Sequence, residues 1–168
     1  MSPPMDAPEP QAINPADFRK VMGRFATGVT VITARHAGET RGMTANAFMS
    51  ASLDPPLAIV SVDKRAHMHA HLPKAGVFAV NILAEGQEVL ARHFAGRPDP
   101  ALAIAFADID GIPTLADALA RMTAELVGAH DCGDHTLFVG RVLRMTATEK
   151  RPLLFFASRY GTMGPDPA

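Results

Sequence analysis

The most restrictive feature of this sequence is a run of small and hydroxylated residues that ends at a pair of prolines. Residues 42–54 read GMTANAFMSASLD, and Pro55 and Pro56 follow directly before the apolar run 57–62. Proline lacks the N–H that a strand needs for its ladder, so a strand that reaches this pair must end there. The stretch therefore predicts a strand at 42–50, a turn at 54–56 and a second strand at 57–62.

A helix is predicted at 15–24. Asn14 suits the N-cap and Pro15 suits the first helical position. One apolar stripe with helical spacing follows, formed by Phe18, Val21, Met22 and Phe25.

Short β-branched or apolar runs predict further strands at 28–33, 77–83, 136–145 and 153–157, and a second helix is predicted at 87–95. The segment 97–113 is predicted to be a loop. The segment 115–130 fits two structures, because its Ala, Leu, Met and Glu content favours helix whereas its alternation fits a half-buried strand. Six or more strands at hairpin-like spacing predict a mainly β fold, an antiparallel barrel with two or three helices.

Length and charge narrow the possible functions. The 168 residues fit one domain with a sizeable core, and a formal net charge of −1 gives no electrostatic case for nucleic acid or a membrane surface. No apolar run approaches the roughly 20 residues that span a bilayer. The lone Cys132 cannot form an internal disulfide, which is in keeping with a cytoplasmic location. The Pro-rich, acidic residues 1–13 predict a disordered tail, which leaves 14–168 as the domain.

Six blocks of sequence, in this order, resemble the flavin reductase family: FRKVMGRFATGVTVIT, GMTANAFMSASLDPPL, FAVNIL, LARHFAG, HDCGDHTLFVGRV and PLLFFASRY. They span residues 18–160. The resemblance implies a split antiparallel β-barrel of the FMN-binding, Greek-key type, a strand at 118–130, and a homodimer with flavin near its interface.

The resemblance also implies a function. It predicts an NAD(P)H:flavin oxidoreductase that transfers hydride from NADH or NADPH to FMN or FAD and supplies reduced flavin to a partner monooxygenase. The alternatives are an FMN-binding electron carrier on the same fold that does not use nicotinamide nucleotides, and a His-rich metal-binding barrel. The HDCGDH block favours the reductase, because a carrier does not need a histidine that faces the nicotinamide.

By the resemblance, the main wall of the flavin site consists of Asn46, Ala47, Phe48, Met49, Ser50, Ser52 and Leu53. Small side chains there let a planar ring approach peptide N–H groups, which stabilise charge on a reduced flavin. The simpler interpretation is a strand of small residues packed under a neighbour.

By the resemblance, the flavin phosphate and ribityl tail lie at the segment KRAHMH, with Lys64, His67, Met68 and His69 as the binding residues. The family often has hydroxyls at the positions of Ala66 and Met68, so here cationic side chains or backbone N–H groups are expected to replace them. The alternative is a solvated basic turn. No metal is expected at His67, His69 and His71, because no carboxylate or cysteine cluster accompanies them.

The block HDCGDH supplies the two candidate catalytic residues. Gly133 and Asp134 suit a turn between strands, and the resemblance places a histidine beside the nicotinamide. His135 is the preferred residue and His130 the second, since an imidazole can bind the carboxamide or deliver a proton. The alternative is that both histidines only end strands. Arg92, His93, Phe155, Phe156 and Tyr160 are expected to serve mainly as helix surface or packing, with ligand contact as the alternative.

Overall fold

The computed structural model describes residues 12–164, which form three helices and twelve strands. The helices are α1 (Pro15–Met22), α2 (His67–Ala75) and α3 (Glu88–Phe94). The strands are β1 (Thr27–Gly28), β2 (Thr30–His36), β3 (Glu39–Ala45), β4 (Phe48–Leu53), β5 (Pro56–Asp63), β6 (Val77–Ile82), β7 (Phe106–Ile109), β8 (Ile112–Leu115), β9 (Ala120–Cys132), β10 (His135–Ala147), β11 (Leu154–Phe156) and β12 (Arg159–Gly161). The predicted tail at 1–13 lies almost wholly outside the described residues.

Seven strands form one antiparallel sheet in the order β3-β2-β6-β9-β10-β5-β4. Side chains from β2, β5, β6, β9 and β10 meet in a single buried cluster, so the sheet curls around one interior. Met68 and Leu72 of α2 belong to that cluster as well. The connection from β5 through α2 places β6 beside β2, which is a return of the Greek-key type. The predicted mainly β, split antiparallel barrel with two or three flanking helices is confirmed, and residues 12–164 contain three helices.

A second core lies on the other face of β2 and β6. It contains Val31 of β2, Leu83 after β6, Ala91 of α3 and Leu115 of β8. The buried Asn81 joins these elements, because its Nδ2 donates to the Val31 carbonyl at 2.9 Å and its Oδ1 accepts from the Leu115 N–H at 2.7 Å. A buried amide with its partners in place costs little, so this polar contact fixes β8 against β2 and β6.

Two predicted elements need correction. The strand predicted at 42–50 is two strands, β3 and β4, separated by Asn46 and Ala47. The loop predicted at 97–113 contains the hairpin of β7 and β8, whose turn residues Asp110 and Gly111 have φ of 52° and 80°. Asp-Gly is a strong signal for this type of hairpin turn, so the sequence held the information.

The ambiguous segment 115–130 is extended rather than helical. β8 ends at Leu115 and β9 begins at Ala120, so the helix suggested by composition is wrong and the strand at 118–130 is confirmed with a slightly later start. β9 pairs with β10 from Ala120 to Cys132 and with β6 from Ala120 to Glu125, and that tertiary pairing outweighs a weak intrinsic preference.

Helix α1 begins as predicted and differs in its surroundings. Asn14 caps it, since Oδ1 accepts from the Ala16 N–H at 2.8 Å. No residue of α1 is buried, however, and the apolar stripe is exposed, with 55% at Phe18 and 68% at Val21. Periodicity identified the apolar face correctly but did not identify what covers it. Between residues 12 and 164, no helix is long and apolar enough to cross a membrane.

Candidate active site

The register between β5 and β10 defines the face that carries the candidate site. Ser61 lies opposite Leu137 and Asp63 lies opposite His135. Residues directly opposite on neighbouring strands share one face of the sheet. The residues that alternate with them are buried in the barrel core, so these four side chains lie on the outside of the barrel.

The neighbouring strands extend this outer face on both sides. On β4, Met49 lies opposite Ile59 of β5. On β9, His130 lies opposite Leu137 of β10. Both predicted catalytic histidines therefore share a face with Met49 of the predicted flavin wall. This common face is the first support for a single site.

A cleft of about 420 Å³, here called the apolar cleft, opens on this face. It is lined by Met22, Phe25, Thr27, Asn46, Ala47, Phe48, Met49, Ile59, Ser61 and Leu137. Its polar lining residues are Thr27 of β1, Asn46 of the link between β3 and β4, and Ser61 of β5, and of these only Asn46 belongs to the predicted wall. Mostly apolar walls with a few polar groups are typical of sites for flat organic ligands.

Four of the seven predicted wall residues line the apolar cleft: Asn46, Ala47, Phe48 and Met49. The small residues Asn46 and Ala47 are the link between the two edge strands of the barrel. The Ala47 carbonyl accepts from the Ser61 N–H at 3.0 Å, which holds the link against β5.

The other three wall residues, Ser50, Ser52 and Leu53, do not line the cleft. Strand alternation explains this in part, because Ser50 lies opposite Ala58 and so on the other face from Met49. A register shift then brings Ser52 opposite Leu57, and Leu53 is 93% exposed at the strand end. Their contact with flavin stays a prediction.

Sequence reasoning missed several cleft residues: Met22, Phe25, Thr27, Ile59, Ser61 and Leu137. Ser61 and Leu137 had a usable signal, because each alternates with residues of a strongly apolar strand and so faces outward. The segment 22–27 had none, since its approach to β5 depends on contacts distant in sequence.

A second depression of about 400 Å³, here called the β5 pocket, lies where β5 leads into α2. It is lined by His36, Glu39, Arg41, Lys64, Arg65, Ala66, His67, Ala70, His71 and Lys74. It contains Lys64 and His67, which were predicted to hold the flavin phosphate. Arg41 of β3 and Lys74 of α2 were missed; Arg41 pairs with Glu39 of the same pocket at 2.9 Å, and Lys74 adds positive charge.

Arg65 is committed to a neighbour within this pocket. Its backbone N–H donates to Asp63 Oδ1 at 2.8 Å and its guanidinium to Asp63 Oδ2 at 2.7 Å. This hydrogen bonding by Arg65 holds the pKa of the Asp63 carboxyl well below its usual range. Arg65 is thus paired with Asp63 and Lys64 lies near Asp131, so Lys74 is the lysine of this pocket that has no salt bridge among residues 12–164.

Two predicted cofactor-binding residues point away from the β5 pocket. The Met68 side chain is 2% exposed and packs in the barrel core. The His69 ring packs edge-on against Phe138, with ring centroids 5.4 Å apart. Neither residue lines the pocket. A hydroxyl at position 68 would face the core, whereas Ala66 does line the pocket.

A chain of polar contacts joins α2 to the β9–β10 hairpin. The Thr136 hydroxyl donates to Asp131 Oδ1 at 3.2 Å and lies 2.8 Å from Nε2 of His69. Because the single hydroxyl proton is used by Asp131, the Nε2–H of His69 is the donor to Thr136. Lys64 Nζ lies 3.5 Å from the same Asp131 oxygen. This chain connects the β5 pocket to the hairpin that carries the predicted catalytic histidines.

The hairpin turn holds His135 beside an acid. Gly133 has φ of 62°, which a glycine adopts at no steric cost, and the turn separates β9 from β10 as predicted. His135 Nδ1 lies 2.7 Å from Asp134 Oδ1, and this hydrogen bond lowers the pKa of the Asp134 carboxyl. The His135 side chain is 40% exposed, so its Nε2 is open to a ligand on the outer face.

The three histidines of α2 contact separate partners. His71 Nε2 lies 3.3 Å from the Ala34 carbonyl, and His69 bonds to Thr136 as described. His67 lies at the exposed N-terminus of α2 and lines the β5 pocket. Across residues 12–164, no three His, Cys, Asp or Glu side chains are grouped closely enough to hold a metal ion.

Comparison with known proteins gives one family and several similar chains. Residues 22–164 match the family model described as flavin reductase like domain. The NADH-dependent FAD reductase of Streptomyces globisporus is 40% identical, with 97% of this chain and 95% of that protein covered. The reductase component of 4-hydroxyphenylacetate 3-monooxygenase from Thermus thermophilus is 42% identical, with 84% and 91% covered. The solved structure of the flavin reductase PheA2 superposes with a TM-score of 0.88 at 43% identity, covering 90% of this chain and 99% of that one.

Replacing Arg65 with Gln is expected to raise the pKa of Asp63 toward the ordinary carboxyl value of about 3.9, because the guanidinium donors are lost. Because the pKa of Asp63 is lower in the folded than in the unfolded protein, its pairing with Arg65 stabilises the folded state at pH values above the unfolded pKa. This stabilisation is lost as the pH falls through the folded pKa. The stability gap between wild type and Arg65→Gln should therefore exist at neutral pH and close in acid. Carboxyl carbon NMR titration measures the shift, and Arg144→Gln, which removes the partner of Asp110 instead, should leave Asp63 unchanged.

Proposed function

This chain belongs to the flavin reductase family, and we propose that it transfers hydride from NADH or NADPH to FMN or FAD and supplies the reduced flavin to a partner monooxygenase. It is an oxidoreductase whose substrates are a nicotinamide nucleotide and a flavin. The overall reaction takes up one hydride and one proton per flavin. The observation that supports this function best is one outer face that carries an apolar cleft and a histidine, with a basic pocket where β5 ends.

The apolar cleft fits the flavin ring. Ile59 and Leu137 form apolar walls, and the small link Asn46–Ala47 leaves peptide groups accessible at the edge. The bound flavin supplies an electron-accepting ring, and the protein's task is to orient it and to exclude water. An asparagine amide at the rim can hydrogen-bond a polar ring edge while the apolar walls hold the ring faces.

The β5 pocket fits the phosphate end of the same ligand. Ser61 lines the apolar cleft and Lys64 lines the β5 pocket, three residues along the chain. A strand rises about 3.3 Å per residue, so the two positions are about 10 Å apart, which a ribityl chain can bridge. Lys64 and Lys74 then offer charge to the phosphate and His67 offers a ring nitrogen, which replaces the hydroxyls that this chain lacks.

His135 is suited to the nicotinamide side. It shares the outer face with Ser61 and Leu137, and its Nδ1 is engaged by Asp134. That contact fixes the ring and leaves Nε2 to bind a carboxamide or to move a proton. His130 lies on the same face beside Leu137 and is the second residue proposed for this role.

A homodimer is part of this proposal. The exposed apolar stripe of α1 continues into the apolar cleft through Met22 and Phe25, which are 51% and 71% exposed. Contiguous apolar surface of this kind is typical of an interface. A second copy that covers the stripe would also close one side of the cleft.

The proposed function is tested by following oxidation of NADH and of NADPH by the purified protein with added FMN, FAD or riboflavin. Flavin-dependent oxidation of at least one nucleotide is expected. A protein that binds FMN tightly and oxidises neither nucleotide would instead be the electron carrier, and the reductase proposal would be rejected. Adding a flavin-dependent oxygenase then tests whether the reduced flavin can be used.

Replacing His135 with Ala is expected to raise KM for the nicotinamide nucleotide about threefold to tenfold, the loss of one hydrogen bond, with little change in flavin affinity. His93→Ala, on α3 and outside both depressions, serves as the matched control. Steady-state kinetics and flavin fluorescence titration give the two quantities. An equal loss of both affinities, or no loss, would contradict the assigned role.

Replacing Ser61 with Leu is expected to weaken flavin binding about tenfold or more, because the larger side chain occupies the apolar cleft. Ser52→Leu makes the same change on β4 outside the cleft lining. Flavin fluorescence titration of both variants distinguishes the two positions. Weakening by Ser61→Leu alone places the ring in the cleft, whereas weakening by Ser52→Leu alone would move the flavin wall to the end of β4.

A further inference from the structure

The end of the β9–β10 hairpin lies beyond most of the strand pairing in its sheet. β6 pairs with β9 only at 120–125, so within residues 12–164 the stretch 126–132 has β10 as its one strand partner. Both candidate catalytic histidines, His130 and His135, lie in this part of the hairpin. Strand ends that have few partners open locally at a low cost in free energy. Strand pairing alone therefore gives the β9 side of this hairpin end, which carries His130, little support.

A side-chain bridge joins the two strands at this point. Thr136 of β10 lies directly opposite Asp131 of β9, and the Thr136 hydroxyl donates to Asp131 Oδ1 at 3.2 Å. In the sequence, Asp131 follows His130 and Thr136 follows His135. Because neighbouring residues of a strand point to opposite faces, the bridge lies on the inner side and the histidines lie on the outer side. The bridge therefore fixes the backbone next to each histidine without occupying the face on which a ligand would bind.

Helix α2 anchors this bridge to the barrel core. The Nε2–H of His69 donates to the Thr136 hydroxyl, with 2.8 Å between the two heavy atoms. The His69 ring packs edge-on against Phe138, which belongs to the buried core cluster. Thr136 is only 4% exposed, so water has little access to compete for its hydroxyl. The fixed position of α2 is thus passed through one hydroxyl to the carboxylate of Asp131.

Lys64 supports the same hairpin end in two other ways. Its N–H donates to the Asp134 carbonyl at 3.0 Å, which holds the β10 side of the turn. Its Nζ lies 3.5 Å from Asp131 Oδ1, and the two side chains are 39% and 81% exposed. An ion pair as exposed as this one contributes little, whereas a buried hydroxyl that donates to a carboxylate contributes more. The bridge from Thr136 is therefore the stronger of the two side-chain contacts that hold Asp131.

We propose that Thr136 is a positioning residue for the nicotinamide nucleotide. Through Asp131 it holds His130 and His135 in the arrangement that the nucleotide meets on the outer face. The identity of this ligand rests on the proposed function. Thr136 does not touch the nucleotide itself, because its side chain is buried on the inner side of the sheet. The order that it gives to the hairpin is present before the nucleotide arrives, which lowers the entropic cost of binding.

Amide hydrogen exchange of the purified protein without ligands tests the bridge independently of activity. Thr136→Val keeps the shape of the side chain and removes the hydroxyl, so exchange at 129–135 is expected to become about threefold to tenfold faster. Asp131→Ala removes the other half of the bridge from an exposed position and should give the same result. Thr136→Ser keeps the hydroxyl and should exchange like wild type. Exchange in β6 should stay unchanged in all three variants, which shows that the barrel is still folded. Unchanged exchange at 129–135 in Thr136→Val and Asp131→Ala overturns the proposal.

Steady-state kinetics with riboflavin as the electron acceptor test the role in the reaction. Thr136→Val and Asp131→Ala are each expected to raise KM for NADH or NADPH about threefold to tenfold. The kcat and the Kd of riboflavin should stay close to wild type, because the loss concerns binding of the nucleotide alone. Asp131→Asn keeps an acceptor for the Thr136 hydroxyl and loses only the ion pair with Lys64, so its KM should change less. As a control, Thr114→Val removes a buried hydroxyl that donates to the Ala107 carbonyl at 2.9 Å in the β7–β8 hairpin, and it should leave KM unchanged.

A comparison of backgrounds separates positioning from a general structural effect. In a variant with both His130→Ala and His135→Ala, adding Thr136→Val should raise KM by less than it does in wild type, since the hydroxyl acts through the histidines. An equal rise in both backgrounds, or an equal loss of flavin and nucleotide affinity, overturns the positioning role. If wild type oxidises a nucleotide and Thr136→Val leaves its KM unchanged, the positioning role is also overturned. If exchange at 129–135 depends on the hydroxyl while wild type oxidises neither nucleotide, the ordering of the hairpin stands and the proposed function fails.

Discussion

The register between β5 and β10 is the constraint on which both the core and the candidate site depend. Val60 and Phe138 pair on the inside of the barrel, and Ser61 and Leu137 pair on the outside. A slip by one residue would turn the buried pair outward and the site residues inward. The register that is stabilised by burial of the core therefore also keeps Ser61 and His135 on one face. No additional interaction is needed to place these two side chains on the same side of the sheet.

The rigidity of this arrangement suits chemistry that consists mostly of orientation. Hydride transfer between two flat rings depends on their distance and alignment, which strands hold better than long loops. Lys64 and the β9–β10 hairpin are also tied together, through Asp131 and through the Lys64 N–H to the Asp134 carbonyl at 3.0 Å. The proposed phosphate end and nicotinamide end of the site thus belong to one hydrogen-bonded unit.

Structural features that depend on neighbouring residues were predicted from the sequence, whereas features that depend on contacts between distant residues were missed. Asn14 with Pro15 identified the start of α1, and Pro55 with Pro56 identified the turn before β5, because caps and proline turns act over a few residues. The Asp110–Gly111 turn was equally local and was overlooked. The lining of the apolar cleft was only partly predicted, since the pairing of Ser61 with Leu137 joins residues far apart in the chain. The cations at Arg41 and Lys74 join the β5 pocket through the packing of α2 on β3, which no periodicity reveals.

Helix α1 shows how exposure can mislead an estimate of mutational tolerance. Surface helices usually keep one face free to vary, and a helix with no buried residue would be ranked among the most permissive parts of a chain. Here Met22 lines the apolar cleft, while Arg19 and Lys20 on the other side line a separate hollow beside Ala157 and Ser158. With flavin in the apolar cleft, as proposed, substitution of Met22 should alter flavin affinity well before it alters the melting temperature.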